Sequence, residues 1–291
     1  MIVVKLMGGL GNQMFQYSLA KSLSIIHNTE CKVDLSFLQL NPEGKYTPRQ
    51  YELNVFEEKI EVISSKELEE FLKKYNSSLK QWLTNRLPSF FPKHLLVEKG
   101  HGYQSDVFNC SKNAYLSGFW QSEKYFRQFE NELKNSFHFK KEFINDTNEF
   151  KQSLSKCNSV SLHVRRGDYI SNQFSKEFHG SCSIEYYYSA INIIAQKYNN
   201  IKFFVFSDDI EWCKTNLKMN HDCFFIDSGS QYKDMYLMQL CKHNIIANSS
   251  FSWWGAWLNS NAEKTVIAPK KWFINESVNT GDVIPDKWIK I

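Results

Sequence analysis

Residues 159–169 read SVSLHVRRGDY. Val160, Leu162 and Val164 alternate with small or polar residues, which predicts a strand over Ser159–Val164 with one fully apolar face. The run ends in two adjacent arginines, a glycine and an aspartate. Neighbouring residues on a strand point to opposite faces, so Arg165 and Arg166 diverge unless the strand breaks there, and Gly167 supplies a place for the break.

The pattern repeats outward from this stretch. A helix is predicted over Ser183–Lys197, a strand over Lys202–Phe206 that ends in SDD, and a helix from about Ile210. A strand over Cys223–Ile226 and a helix over Gln231–Cys241 follow. A strand over Asn244–Ala247 then runs into NSSFSWWG, whose second half opens a helix, and Lys264–Ala268 is the last strand. Strands alternating with helices imply a doubly wound parallel sheet. Upstream, Met1–Met7 (MIVVKLM) reads as a buried strand, GGLGNQ as a turn, and Met14–Ile26 as a helix with Phe15, Leu19, Leu23 and Ile26 on one face. Ser65–Tyr75 reads as an amphipathic helix, Ala114–Trp120 as a strand and Glu123–Asn135 as a helix. The polar stretch NDTNEFKQSLSK suggests two domains, 1–150 and 151–291.

Composition narrows the function. With 291 residues, 42% hydrophobic and 23% charged, the chain has the balance of a globular protein with a sizeable core. The net charge of +4 is too mild to point to a nucleic-acid partner. The seven cysteines are scattered with no Cys-x-x-Cys pair, which disfavours a zinc site or disulfide framework and suits a reducing compartment. The first residues lack the form of a signal peptide, and no apolar run reaches the length of a membrane span. A cytoplasmic location follows as the expectation, with attachment at a membrane surface left open; the NSS sequon at Asn248 is then not a glycosylation site.

Four polar motifs stand at predicted strand ends: GGLGNQ, HVRRGDY, SDD and NSSFSWWG. Ligands of open parallel sheets bind beyond the carboxyl ends of the strands. Arginine offers a rigid fork matched to phosphate oxygens, and its alternative here is an ion pair with nearby carboxylates. Ser249, Ser250 and Ser252 precede a helix start, where hydroxyls and free amides favour an anion; the alternative is capping, which uses the same amides. Asp208 and Asp209 suit a divalent metal, a ribose hydroxyl or the donor edge of a base; the alternative is that Ser207 or Asp208 caps the helix that follows. The arginines already neutralise a phosphate, which favours the base or ribose. GGLGNQ departs from the dinucleotide fingerprint because Met14 stands where its third glycine would be. Its glycines instead let backbone approach a ligand, with Asn12 and Gln13 as hydrogen-bonding partners. Trp253, Trp254 and Trp257 are either a sugar platform or the core face of a short helix.

Together, GGLGNQMFQY at 8–17, HVRRGDY at 163–169, FSDD at 206–209 and NSSFSWWGAWL at 248–258 resemble the bacterial-type α-1,2-fucosyltransferases of glycosyltransferase family 11. The likeness runs from residue 1 to about 275 and is loose over 28–115. It implies a two-domain GT-B-like fold, with an acceptor-side domain and a GDP-sugar-binding domain. The implied reaction is inverting transfer of L-fucose from GDP-β-L-fucose to O2 of a terminal galactose in a glycan acceptor, without a required metal or other cofactor. On this resemblance Arg165 contacts the diphosphate and Arg166 supports it. His163 with Asp208 or Asp209 reads guanine, Ser249 and Ser250 lie near the phosphates, and Gly9, Gly11, Asn12 and Gln13 lie beside the donor. The general base is drawn from Asp168, Glu177 and His179. Other classes compatible with the motifs are a GDP-sugar transferase of different acceptor linkage, a non-catalytic sugar or nucleotide binder, and, less well matched, an NAD-type oxidoreductase.

Overall fold

The computed structural model describes residues 1–39, 48–75, 93–167, 180–274 and 279–291. They form two units, each built on its own parallel sheet. The first comprises Met1–His138 with Gly281–Val283, the second Phe139–Thr280 with Ile284–Ile291.

In the first unit, β1 (Ile2–Lys5), β2 (Cys31–Asp34), β3 (Glu61–Val62), β4 (Leu95–Val97) and β5 (Ala114–Ser117) lie in the order β3-β2-β1-β5-β4, all pairs parallel. β1 is central and its Ile2, Val3 and Val4 are wholly buried, as a continuous apolar run requires. Helix α1 (Leu10–Ile26) buries Met14, Phe15, Leu19 and Leu23. It begins four residues earlier than its apolar periodicity suggests, so only Gly8 and Gly9 are turn, and Gly11, Asn12 and Gln13 are helical. Buried glutamines replace local capping. The Gln13 amide donates to Gly8 O at 2.9 Å and Gln50 O at 2.7 Å and accepts from Glu52 N at 2.9 Å. Gln16 brackets Met7, accepting from its N–H at 2.9 Å and donating to its carbonyl at 3.3 Å. Helix α2 (Ser65–Tyr75) follows β3.

The single helix expected over Glu123–Asn135 is instead two 3₁₀ turns, Glu123–Tyr125 and Arg127–Phe129, leading into α3 (Glu130–Ser136). Phe126 leaves helical geometry at φ −141° and ψ 3°. Its ring is buried against Phe15, with centroids 6.0 Å apart, so core packing overrides helical propensity here.

The second unit carries α4 (Asn148–Ser155), β6 (Asn158–Val164), α5 (Ile184–Lys197), β7 (Ile201–Ser207), α6 (Ile210–Asn216), β8 (Cys223–Phe225), α7 (Gln231–Leu240), β9 (His243–Ile245), α8 (Ser250–Leu258), β10 (Val266–Ala268) and β11 (Ile289–Lys290). Its six strands are parallel in the order β11-β10-β9-β6-β7-β8. The chain steps from β6 to β8 in one direction and from β9 to β11 in the other, so strand order reverses between β6 and β9. One face packs Val160, Leu162, Val164, Phe203 and Val205 under Tyr187, Ala190, Ile191 and Ile194 of α5, the i, i+3, i+4, i+7 set of an amphipathic helix. On the other face Phe204 and Phe206 meet Leu154, Leu237 and Met238. A Cβ on Gly255 would lie 2.9 Å from that of Met238, so glycine lets α7 and α8 pack closely.

Residues 139–150, placed with the first domain on polarity alone, belong to the second unit. Phe139 and Phe143 set their rings edge-on to Tyr236 and Tyr232, at 6.0 and 5.5 Å. Conversely, Asp282 joins the first unit by accepting from Tyr103 N and Lys124. Among the described residues no helix is long and apolar enough to cross a membrane.

Candidate active site

The second sheet presents the loops after β6, β7, β8 and β9 at its carboxyl edge, and the strand periodicity decides what the first of them shows. His163 and Arg165 share the face opposite Val160, Leu162 and Val164, so both turn toward α7 and α8. They line a cleft of about 360 Å³ with Asp208, Ser228, Asp234 and Phe251. Arg166, one residue on, takes the other side. Its guanidinium lies 3.8 Å from the centroid of the Trp212 ring and its Nε donates to Asp209 Oδ2 at 3.1 Å. The arginines therefore diverge. Gly167 serves a different need: a Cβ there would stand 2.6 Å from Asp208 Oδ2, so glycine lets the loop close over that carboxylate.

Asp208 is the hub of the loop. Its Oδ2 meets Arg165 Nη1 at 3.0 Å and its Oδ1 accepts from the Arg166 amide at 2.8 Å. Asp209 caps α6 by accepting from Trp212 N at 3.2 Å while holding Arg166. The ion-pair alternative for the arginines is thus present, and the helix cap falls on Asp209 and not on Ser207 or Asp208. Asp208 also reaches the cleft, whereas Asp209 is not among its lining residues.

His163 is buried, and among the described residues its Nδ1 has no hydrogen-bonding partner. Burial pushes its pKa well below the usual range; Asp208 opposes that shift and Arg165 reinforces it. A neutral imidazole lining the cleft beside Arg165 offers a donor and an acceptor without adding charge. Phe251 sets its ring 5.7 Å from that of His163.

Part of the cleft wall is the loop between β8 and α7, which the motifs did not single out. Gly229 takes φ +69°, a left-handed turn natural to glycine. Ser228 Oγ donates to Asp234 at 2.6 Å, and burial pushes the Asp234 carboxyl up to about 6 despite that bond. The available signal was a Ser-Gly-Ser turn directly after a strand, followed within a helical turn by an aspartate.

At β9, Ser249 is the residue before α8, and its side chain makes no capping bond to the helix amides. Ser249 and Ser250 adjoin Phe251 but are not themselves cleft-lining. Asn248 is buried and donates to Gly180 O at 3.0 Å and Trp272 O at 3.2 Å, tying the loop down. Trp253, Trp254 and Trp257 are at most 5% exposed and pack on one another, with Trp253 and Trp254 centroids 5.0 Å apart. They are core, and the sugar-platform reading does not hold for them. Gly9, Gly11, Asn12 and Gln13 stand at the carboxyl end of β1 in the first unit, where Gln13 is committed to backbone and Asn12 accepts from Gln121 at 2.7 Å. Asp168, Glu177 and His179 lie outside the described residues.

Two parallel α/β sheets in one chain, the second with an arginine–carboxylate cleft at its strand-order reversal, define the GT-B-like class of glycosyltransferases. The chain belongs to glycosyl transferase family 11, whose family model it matches over residues 1–291. It is 38% identical to an Escherichia coli alpha-1,2-colitosyltransferase over 304 residues, covering 100% of this chain and 98% of that protein. It is 24% identical to mouse galactoside 2-alpha-L-fucosyltransferase Sec1 over 268 residues, covering 89% of this chain and 64% of that one. Among solved structures, an Arabidopsis thaliana FUT1 variant in complex with GDP superposes with a TM-score of 0.54 at 12% identity, covering 91% of this chain and 69% of that one.

Proposed function

We propose that the protein transfers L-fucose from GDP-β-L-fucose to O2 of a terminal galactose, with inversion at C1. The observation that carries this reading is the Arg165–Asp208 pair at the mouth of the His163–Asp234 cleft. The cleft has the volume and polarity for a nucleoside, and Arg165 stands at its edge where a diphosphate would emerge. Asp234 and Asp208 can each accept from the N1–H and N2–H₂ edge of guanine, a pattern that adenine and uracil lack. Phe251 supplies an apolar wall beside the base. The relatives support the reaction class: one is named for colitose transfer and another for 2-α-L-fucosyl transfer to galactosides.

Inverting substitution at C1 develops positive charge on the sugar and negative charge on the leaving β-phosphate. Arg165 and the amides opening α8 offer positive charge where the phosphate gains its own, and this is the main catalytic term. Arg166, held by Trp212 and Asp209, stiffens the loop and leaves phosphate contact to its neighbour. The acceptor hydroxyl loses its proton to a base drawn from Asp168, Glu177 and His179. No metal enters this scheme. The protein acts in the cytoplasm, where nucleotide sugars are made, and the second unit binds the donor while the first serves the acceptor.

Colitose is 3-deoxy-L-fucose, so the 38% identical colitosyltransferase favours one alternative donor, GDP-colitose. Purified protein offered each GDP-sugar with a β-galactoside, followed by linkage analysis of the product, tests both readings. Transfer of fucose to O2 supports the first. Turnover with GDP-colitose alone replaces the donor, and a product linked elsewhere replaces the acceptor position.

A further inference from the structure

At the carboxyl edge of the first sheet, a half-buried carboxylate outside the site described above holds a strained turn. Glu98 follows β4, and its two oxygens accept from consecutive backbone amides after β5: Phe119 N at 2.6 Å and Trp120 N at 2.9 Å. Trp120 takes φ +55° and is 1% exposed, an uncommon conformation for a bulky residue that persists only when its surroundings impose it. Gly118 is part of the same device, since a Cβ there would stand 2.3 Å from that of Glu98. The next residue, Gln121, donates from Nε2 to Asn12 Oδ1 at 2.7 Å. Asn12 in turn folds over Gly8, which takes φ +74° and where a Cβ would lie 2.5 Å from Asn12 Nδ2. Glu98, the 118–121 turn, Gln121, Asn12 and the glycine loop thus form one connected chain of contacts across three strand ends.

We propose that Glu98 is a positioning residue of the transferase, which through the 118–121 turn holds Gln121 against Asn12 and so fixes the Gly8–Asn12 loop at the edge of the first sheet. The inference rests on the transferase reading above. It requires the ionised form, because two adjacent N–H groups need an acceptor on each oxygen, and a protonated carboxyl turns a donor toward one of them. Burial pushes the Glu98 carboxyl up to about 7 against the pull of both amide bonds. Among the described residues, the titratable group facing it is the phenol of Tyr125, which burial holds neutral and which accepts from Gln104 N; the adjoining Lys99 is exposed.

The test compares wild type with Glu98→Gln and Gln121→Ala in the full chain. We measure kcat and KM for GDP-fucose and a β-galactoside across pH 5.5–9, GDP binding by calorimetry, and folding by circular dichroism. Glu98→Gln is expected to lower kcat/KM about 30-fold while GDP affinity stays within about twofold, because the cleft of the second unit is untouched. The part of the wild-type fall in kcat/KM that is centred near pH 7 should be missing from the variant, leaving the Asp234 limb near pH 6. Activity of Glu98→Gln within about threefold of wild type, with the same acid limb, overturns the proposal. Should Glu98→Gln not fold, Gln121→Ala decides, since it keeps the clamp and cuts only the link to Asn12. A loss of about 10-fold or more with normal GDP binding supports the inference, and a smaller loss overturns it. A wild type that binds GDP yet transfers no sugar would instead remove the transferase reading, and the positioning role with it.

Discussion

Oδ2 of Asp208 lies 3.0 Å from Nη1 of Arg165, and Oδ1 of the same carboxylate holds the Arg166 amide at 2.8 Å. One side chain from the end of β7 therefore fixes both the backbone and the guanidinium at the end of β6. The register makes this possible, because Val164 pairs with Ser207 and the two loops leave the sheet side by side. A guanidinium held in this way needs little reordering when a phosphate arrives, and preorganisation of that kind lowers the barrier to phosphate departure.

Replacing Arg165 with Ala should lower kcat by about 100-fold or more, because the lost contact strengthens as the phosphate leaves. Arg165→Lys should also perform poorly, since a point charge cannot satisfy the carboxylate and a phosphate as a planar fork can. Steady-state kinetics decide this. Near-normal turnover in a folded Arg165→Ala variant would make the arginine a purely structural partner of Asp208.

Guanine selectivity should depend on Asp234. Asp234→Asn is expected to weaken GDP binding about 10-fold and to leave the already weak ADP and UDP binding unchanged. Affinity of the wild type for GDP should rise with pH through about 6, as the carboxyl ionises, and then level off. The folded-state pKa lies above the unfolded value, so the folded form holds its proton longer. Stability should therefore fall as pH rises from about 4 to 6, and Asp234→Asn should flatten that window. Calorimetry and thermal melts at stepped pH measure the two effects. GDP, ADP and UDP binding alike would sink the assignment.

Gly167→Ala introduces a Cβ 2.6 Å from Asp208 Oδ2, so the carboxylate must move and release Arg165. We expect activity to fall about as far as in Asp208→Ala, with the thermal midpoint little changed, because the collision lies in a strand-end loop and not in the core. Wild-type activity in Gly167→Ala would mean that the loop relaxes without disturbing the pair.

Trp212→Leu removes the ring face under Arg166, and contacts of this kind are worth about 0.5–2 kcal/mol. Trp212→Phe should recover much of the loss, since it keeps an aromatic face. Chemical denaturation of the two variants reads the difference; equal stability would show that Asp209 alone holds Arg166.

Turnover should persist in excess EDTA. On the proposed reading Arg165 and the α8 amides would meet the phosphates, while Asp208 and Asp209 are engaged with arginines. Among the described residues no three His, Cys, Asp or Glu side chains gather as a metal site would need. Loss of nearly all activity in EDTA, restored by Mg²⁺ or Mn²⁺, would reassign the SDD stretch to metal binding.

The sequence by itself determined the alternation of strands and helices, the parallel sheet of the second unit and the strand ends at which chemistry collects, because each depends on local periodicity and on residues that break it. HVRRGDY and SDD could be placed at neighbouring edges for that reason. Tertiary structure alone decided which residues meet. It sent Arg165 into a cleft and Arg166 onto Trp212, made Asp208 the partner of the first arginine, and buried all three tryptophans of α8. It also turned Phe251 of NSSFSWWG into the cleft and brought Asp234 and Glu98 into play, neither of which belongs to any of the four motifs. Pairing register and helix packing connect residues 21 to 109 positions apart, and no local pattern in the chain records those distances.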